Sequence, residues 1–424
     1  MGDHGRPSRL TLVLTTRCNM NCSYCYQRVQ EPRSMDWSVA EAAVDLALSA
    51  PGDGTELTFY GGEPLLEFDL MRHAVDYVES ARGPHERVKH WVVTNGTLIT
   101  DEVSDFLAAH DFKIILSFDG VRAAQDFRGE GSFETLDRVL DSFRERHPEY
   151  FRRAVEISVT VSPSAVRFLA DSVDYLLGKG VQEIDLTPVM TPHPGWDEGC
   201  RNELNAQFER VLRSSLEHLE KTGEVPLLLY AGKGKLSGPQ VESRAMCEIV
   251  DNNSWAVDVD GRVSGCTLFA PSIQEFGSPL LRECRPVLSL GHVTDPDLLA
   301  TCASFPDAIV RLPILSEKEK KYSSYRRCAD CRFFAACVTC PASIGFAEGN
   351  TDPHRVPDYY CAFNYTSLAS RDGFPVQPTD LEVIRGDRYS ELRLKWKAIG
   401  EEARRSDRER TGAGGSLGSD RPSE

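Results

Sequence analysis

Positive charge is scarce in this 424-residue sequence: 48 lysines and arginines face 64 aspartates and glutamates, for a formal net charge of −16. No basic block offsets the deficit. The chain is therefore a poor nucleic-acid binder, because neutralising phosphates takes clustered Lys and Arg. It also lacks any uninterrupted apolar run near the roughly 18 residues a membrane helix needs. Met1 to Arg9 is polar, without the apolar stretch of a signal peptide. Membrane, secreted and fibrous classes are excluded on these grounds, and a cytoplasmic setting is expected. In that reducing compartment thiols bind metal or react rather than pair. The apolar fraction of 41% supplies a core, and the length suggests two domains or three modules.

From Arg9 to about Val189 short β-rich runs alternate with helical patterns. The predicted strands are Leu10–Thr15, Glu56–Tyr60, His90–Thr94, Lys113–Phe118, Val155–Val161 and Glu183–Leu186. Helical apolar spacing marks Ser38–Leu48, Leu70–Ser80, Asp101–Ala109, Phe133–Arg144 and Ala165–Leu177. Six such repeats predict an α/β fold with parallel strands, helices packed outside, and reactive residues on loops beyond the strand C-termini. Past Pro194 the alternation stops. Asp197 to Thr222 reads as one helix, Gly232–Gly238 as a linker, and Met246 to Ser370 as a short, loop-rich lobe ordered by metal more than by a large core. One more charged helix follows Asp380, and Glu401–Glu424 is expected to be disordered.

The thirteen cysteines are not scattered. Cys18-Asn-Met-Asn-Cys22-Ser-Tyr-Cys25 follows the first strand directly. Three thiolates are one short of a closed tetrahedral zinc site. On a short loop they suit three irons of a [4Fe–4S] cube and leave the fourth open to another ligand. The alternatives are zinc completed by a distant residue, or ordinary buried thiols. Seven more form a spaced array: Cys247, Cys266, Cys328, Cys331, Cys337, Cys340 and Cys361. Its C-x2-C knuckles also fit a pair of zinc ribbons. Cys200, Cys284 and Cys302 belong to neither group and read as small core residues.

The CxxxCxxC loop, with an aromatic before its last Cys, resembles the radical S-adenosylmethionine (SAM) superfamily. Gly61-Gly62-Glu63-Pro64 after the second strand, Thr94-Asn95-Gly96 after the third and Ser117-Phe118-Asp119-Gly120 after the fourth complete the likeness, which covers about residues 9–190. The resemblance implies a partial (β/α)6 TIM-like barrel whose open iron chelates the amino and carboxylate groups of SAM. It places Tyr24 beside the adenine, and Asn95 and Ser117 near the ribose and methionine ends. It further implies that the Gly61–Gly62 carbonyls and Glu63 receive the SAM amino group, and that Arg128 faces its carboxylate, a charge-assisted pairing. Glycine permits the close backbone approach this needs.

The C-terminal array resembles the SPASM extension of peptide-modifying radical SAM enzymes, whose seven cysteines hold two auxiliary [4Fe–4S] clusters. That implies three cubes in all. By the family's interleaved order, Cys328, Cys331, Cys337 and Cys361 fill the outer cluster, while Cys247, Cys266 and Cys340 bind the inner one. The last spacing of the compact run is x2 where x3 is usual, which bears on Cys340. Two cubes call for eight ligands and seven are present, so the eighth position falls to water, a substrate thiolate or a spare cysteine. The expected modules are a start (1–8), a core (9–195), a bridge (196–240), the SPASM domain (241–372) and a tail (373–424).

Enzymes of this kind abstract hydrogen from a peptide or protein side chain. One branch, the sulfatase maturases, carries an Asp directly after the second inner-cluster cysteine, where this sequence has Thr267; threonine cannot do that proton transfer at neutral pH. Asp258 and Asp260 lie nearby in sequence. The other large branch crosslinks ribosomally made precursor peptides through thioether, carbon–carbon or ether bonds. Since the first strand starts near Arg9, the leader peptide is expected to bind a separate partner protein or dock on the core. The implied partners are a precursor peptide and an electron donor such as flavodoxin or ferredoxin. A zinc-stabilised, non-catalytic scaffold is the contrasting expectation.

Overall fold

The structure is a computed structural model that describes residues 7–27, 31–49, 55–81, 88–232, 249, 253–273, 279–303 and 305–375. Cys247, most of the expected linker, the helix expected after Asp380 and the tail lie outside the described residues.

Six parallel strands run in chain order: β1 (Arg9–Thr15), β2 (Thr55–Gly61), β3 (Val88–Thr94), β4 (Lys113–Ser117), β5 (Val155–Val161) and β6 (Glu183–Pro188). Their pattern is clearest in β5. Val155, Ile157, Val159 and Val161 are buried, while Glu156, Ser158 and Thr160 between them are half-buried. That alternation puts an apolar face on the core and leaves a polar face partly open. Helices 37–48, 68–81, 101–109, 132–146 and 169–178 make the crossovers between parallel neighbours. The strands and helices stand where the sequence pattern puts them, within a few residues. Two short helices, Arg122–Gln125 and Pro148–Ala154, escaped it because they span only one or two turns. The long helix Glu198–Thr222 is capped by Asp197, whose side chain accepts the Cys200 amide at 2.7 Å, and it ends at Gly223 in the left-handed region.

The sheet does not stop at the barrel. β7 (Ser254–Val257) adds in parallel to the free edge of β1, and β8 (Arg262–Ser264) and β9 (Ser289–His292) continue from it antiparallel. Strands of three and four residues are too short for a period-two signal, which is why this lobe read as loops. The lobe also shares in the apolar core. Trp255, Leu281, Ile309, Leu315 and Phe363 are at most 1% exposed and belong to the same apolar core as the barrel. The β1–β7 pairing has a consequence for function. Parallel strands end on the same side, so the turn after β7 stands beside the cysteine loop after β1. No described helix is long and apolar enough to cross a membrane.

Candidate active site

The loop that follows β1 is zipped to the loop that follows β2. Gly62 donates its amide to Thr15 O and Glu63 donates to Arg17 O, both at 2.8 Å. A Cβ on Gly61 would lie 2.3 Å from Thr15 O, and one on Gly62 2.2 Å from Arg17 O. Gly61 also has φ of +142°, a conformation side chains disfavour. The glycine pair is thus required by the backbone of the cysteine loop itself, and Pro64 then starts a single 3-10 turn.

On this loop Cys18 is exposed, and Cys22 and Cys25 are half-buried. The sulfurs of Cys18 and Cys25 accept the Met20 and Gln27 amides at 3.4 and 3.3 Å. Burial pushes the Cys22 thiol up to about 11 while Arg128 pulls it down; Cys25 and Cys18 raise it further, so the three sulfurs share one neighbourhood. Burial raises Cys18 as well. A cation that binds such thiols displaces their protons.

Glu63 is fully buried. Its Oε1 accepts from Thr94 Oγ1 at 2.6 Å and Leu65 N at 3.1 Å, and its Oε2 from Asn95 N at 2.7 Å. Burial outweighs these donors and pushes the carboxyl up to about 7. Asn95 in turn reaches the cysteine loop, donating to Asn19 Oδ1 at 2.8 Å and toward Cys18 Sγ at 3.8 Å. Ser117, half-buried, ends β4.

Asp119, which the sequence placed in the motif after the fourth strand without a role of its own, is a hub. Its carboxylate accepts from Tyr24 Oη, from Arg128 Nη2 at 2.8 Å and from Thr160 N at 2.7 Å. The same Arg128 nitrogen donates to Ser158 O at 3.1 Å and Thr160 Oγ1 at 3.0 Å, and the guanidinium lies 5.6 Å from the Tyr24 ring centre. Arg128 is 7% exposed, yet its Nε has no hydrogen-bond partner. A buried donor left unmatched costs stability, so this atom points to an acceptor that the chain does not supply. Asn95 and Arg128 therefore flank the cysteine loop that carries Tyr24, with Glu63 bracing it from behind.

In the C-terminal lobe Cys328, Cys331, Cys337 and Cys361 line one cavity, closed by Phe333, Phe334 and Tyr365. Ser323 Oγ donates to Cys361 Sγ at 3.1 Å and the buried Asn364 to Cys337 Sγ at 3.5 Å. Burial pushes Cys328 up to about 12, with the other three sulfurs adding to it. Cys266 and Cys340 form a second pair: burial and the nearby Cys340 push Cys266 up to about 12. Tyr26, whose hydroxyl bonds to Tyr60, feels the charge of both Cys25 and Cys266 and so lies between the two cysteine groups. The spare cysteines sit elsewhere. Cys200 donates to Pro163 O at 3.6 Å, Cys284 to Leu280 O at 3.2 Å, and Cys302 is buried in the core.

All-thiol donor sets select zinc or iron–sulfur clusters. A tetrahedral zinc at about 2.3 Å from each sulfur needs its ligands to converge on a point. Four sulfurs line one cavity of the C-terminal lobe, a donor set that an iron–sulfur cluster would take.

Neither carboxylate near Thr267 is placed as a free base. Asp258 is fully buried and accepts from Val259 N at 2.8 Å, Ser272 N at 2.7 Å and Ser272 Oγ. Asp260 pairs with Arg33 at 3.8 Å and Arg262 at 3.5 Å.

The parallel half-barrel thus carries a thiol-bearing loop over its first strand, braced by Gly-Gly-Glu. Residues 12–162 match the Radical SAM superfamily, and the chain carries a radical SAM domain. It is 30% identical over 177 residues to an uncharacterised protein of Methanocaldococcus jannaschii, a match that takes in 41% of this chain and 60% of that one. It is 24% identical over 346 residues to the serine-type anaerobic sulfatase-maturating enzyme of Klebsiella aerogenes, covering 78% of this chain and 79% of the other. The fold is shared with anSMEcpe, solved with bound AdoMet and Cp18Cys peptide (TM-score 0.65, 17% identity, 87% and 97% covered). It is also shared with Streptococcus suis SuiB bound to precursor peptide SuiA (TM-score 0.51, 14% identity, 84% and 76% covered).

Proposed function

We propose that this chain is a radical SAM/SPASM enzyme that modifies a side chain of a ribosomally made precursor peptide, giving a crosslink or an oxidation. Cys18, Cys22 and Cys25 would hold a cube, which when bound would supply the one electron for cleaving SAM to methionine and a 5′-deoxyadenosyl radical able to take a hydrogen from the peptide. The chain's own residues bind and shield. Arg128, with its unpartnered Nε, receives the SAM carboxylate, and Asp119 holds that guanidinium in place. Tyr24 forms an apolar wall, Asn95 and Ser117 lie at the ribose and methionine ends, and the Gly61–Gly62 backbone offers carbonyls to the SAM amino group. Glu63 supports this last contact by fixing the loop, because both its oxygens are already engaged. Cys328, Cys331, Cys337 and Cys361 hold one auxiliary cube, and Cys266 and Cys340, with Cys247, hold the other. Electrons come from a donor such as flavodoxin or ferredoxin, the precursor peptide binds with or without a separate leader-binding protein, and the setting is cytoplasmic.

The observation that carries the reading is the buried, orphaned Arg128 Nε beside a three-thiol loop. Iron-loaded protein incubated without oxygen with SAM and dithionite should release 5′-deoxyadenosine, and Cys22→Ala should not. No release from fully loaded protein would overturn the proposal.

A second reading, a sulfatase-type maturase, is favoured by the similarity to the Klebsiella aerogenes enzyme along 78% of this chain. Thr267 counts against it. Conversion of a sulfatase-derived peptide to formylglycine, with no change in a peptide encoded beside this gene, would decide for the maturase.

A further inference from the structure

The four-cysteine cavity holds two cations as well as four sulfurs. Lys318 and Arg326 both line it, and among the described residues no Asp, Glu or His does. Lys318 is only 5% exposed, with its ammonium 5.0 Å from the Phe334 ring centre. Its sequence neighbour Glu317 is turned away, paired with Lys320 at 2.5 Å and His354 at 2.7 Å. Arg326 stacks on Tyr365 with its guanidinium carbon 3.5 Å from the ring centre. Lys318 acts electrostatically on Cys337, Cys328 and Cys331, and Arg326 on Cys361. A buried ammonium without a carboxylate is costly, and the sulfurs of Cys337, Cys328 and Cys331 are the groups that favour its charge.

We propose that Lys318 and Arg326 are the built-in counter-charges of the cube held by these four cysteines, and that they raise its affinity for an electron. This rests on the reading of the cavity as an iron–sulfur site. The charges balance. Two ferrous and two ferric irons with four sulfides and four thiolates carry two net negative charges, and one added electron makes three. The two cations neutralise the first state and attract the extra electron of the second. Net charge is among the main determinants of cluster potential. The Ser323 and Asn364 bonds to sulfur act in the same direction but carry no full charge.

The test uses full-length protein reconstituted without oxygen, with potentials read by redox titration followed by EPR. The signal lost in Cys361→Ala identifies the outer cube. Lys318→Met should keep its iron and weaken one-electron reduction of that cube at least tenfold, about 59 mV lower. Lys318→Arg should restore the original potential, and Arg326→Gln should move it in the same direction as the methionine. An unchanged potential in iron-replete Lys318→Met overturns the inference and leaves the cluster reading standing. No C-terminal iron in the unsubstituted protein overturns the reading itself. If Lys318→Met takes up no iron, loading of Lys318→Arg supports the charge role, and failure of both removes it.

Discussion

Glu63 Oε2 accepts the Asn95 amide at 2.7 Å, which ties the loop after β2 to the end of β3 from inside the barrel. Burial holds this carboxyl near 7, against an ordinary 4.5. Between those values the folded chain binds more protons than the unfolded one. Stability should therefore fall as pH rises from about 4.5 to 7 and level off above. In Glu63→Gln one oxygen becomes an amide that no longer accepts, leaving a buried donor unmatched at a cost of about 1–3 kcal/mol. Urea unfolding at pH 5 and pH 8 checks both. The variant should be less stable than the parent, with less pH dependence.

Gly62 has no room for a methyl group. Its Cβ would lie 2.2 Å from Arg17 O and 2.6 Å from Arg17 C, and backbone cannot turn aside as a side chain would. Gly62→Ala should displace the cysteine loop while leaving the C-terminal lobe intact. Of the about 12 irons that the three proposed cubes would hold, roughly a third should be lost. Iron counting after anaerobic reconstitution reads this directly. Full iron in the alanine variant would show that the loop tolerates the displacement.

The barrel was legible because each strand, such as Val155–Val161, carries enough alternating residues to show its period, and each crossover helix several turns. The cysteine loop and Gly61–Glu63 were legible because metal sites and close backbone contacts demand particular residue types. What stayed hidden depends on distant partners. Asp119 had no assigned role because nothing local shows that Tyr24, Arg128 and Thr160 converge on it. Lys318 stands in a Glu-Lys-Glu-Lys run that looks like a solvated surface, and only tertiary packing buries it. The three C-terminal strands were too short to signal, and β7 found its place by completing the edge of β1.

Asp119→Asn tests the hub. The change leaves Arg128, 7% exposed, without its counter-charge. Breaking a buried pair from one side costs about 3–5 kcal/mol. The guanidinium should also lose its orientation, so SAM affinity should fall at least tenfold even where the variant is kept folded at low temperature. Denaturation measures the first effect and titration calorimetry with SAM the second. Loss of stability with unchanged SAM affinity would separate Arg128 from the cofactor.

Cys361 lies in helix 358–372, 21 residues beyond Cys340, yet it lines the same cavity as Cys328, Cys331 and Cys337. Residues that serve one body do not act additively. Cys361→Ala and Cys328→Ala should each remove the same iron, about four atoms, and the double variant should lose no more than either alone. Cys200→Ala, next to Pro163 and away from both C-terminal groups, should keep full iron. Mass spectrometry under native conditions distinguishes these outcomes. If the double variant lost twice the iron of either single variant, Cys361 and Cys328 would belong to different clusters and the shared cavity would need another occupant.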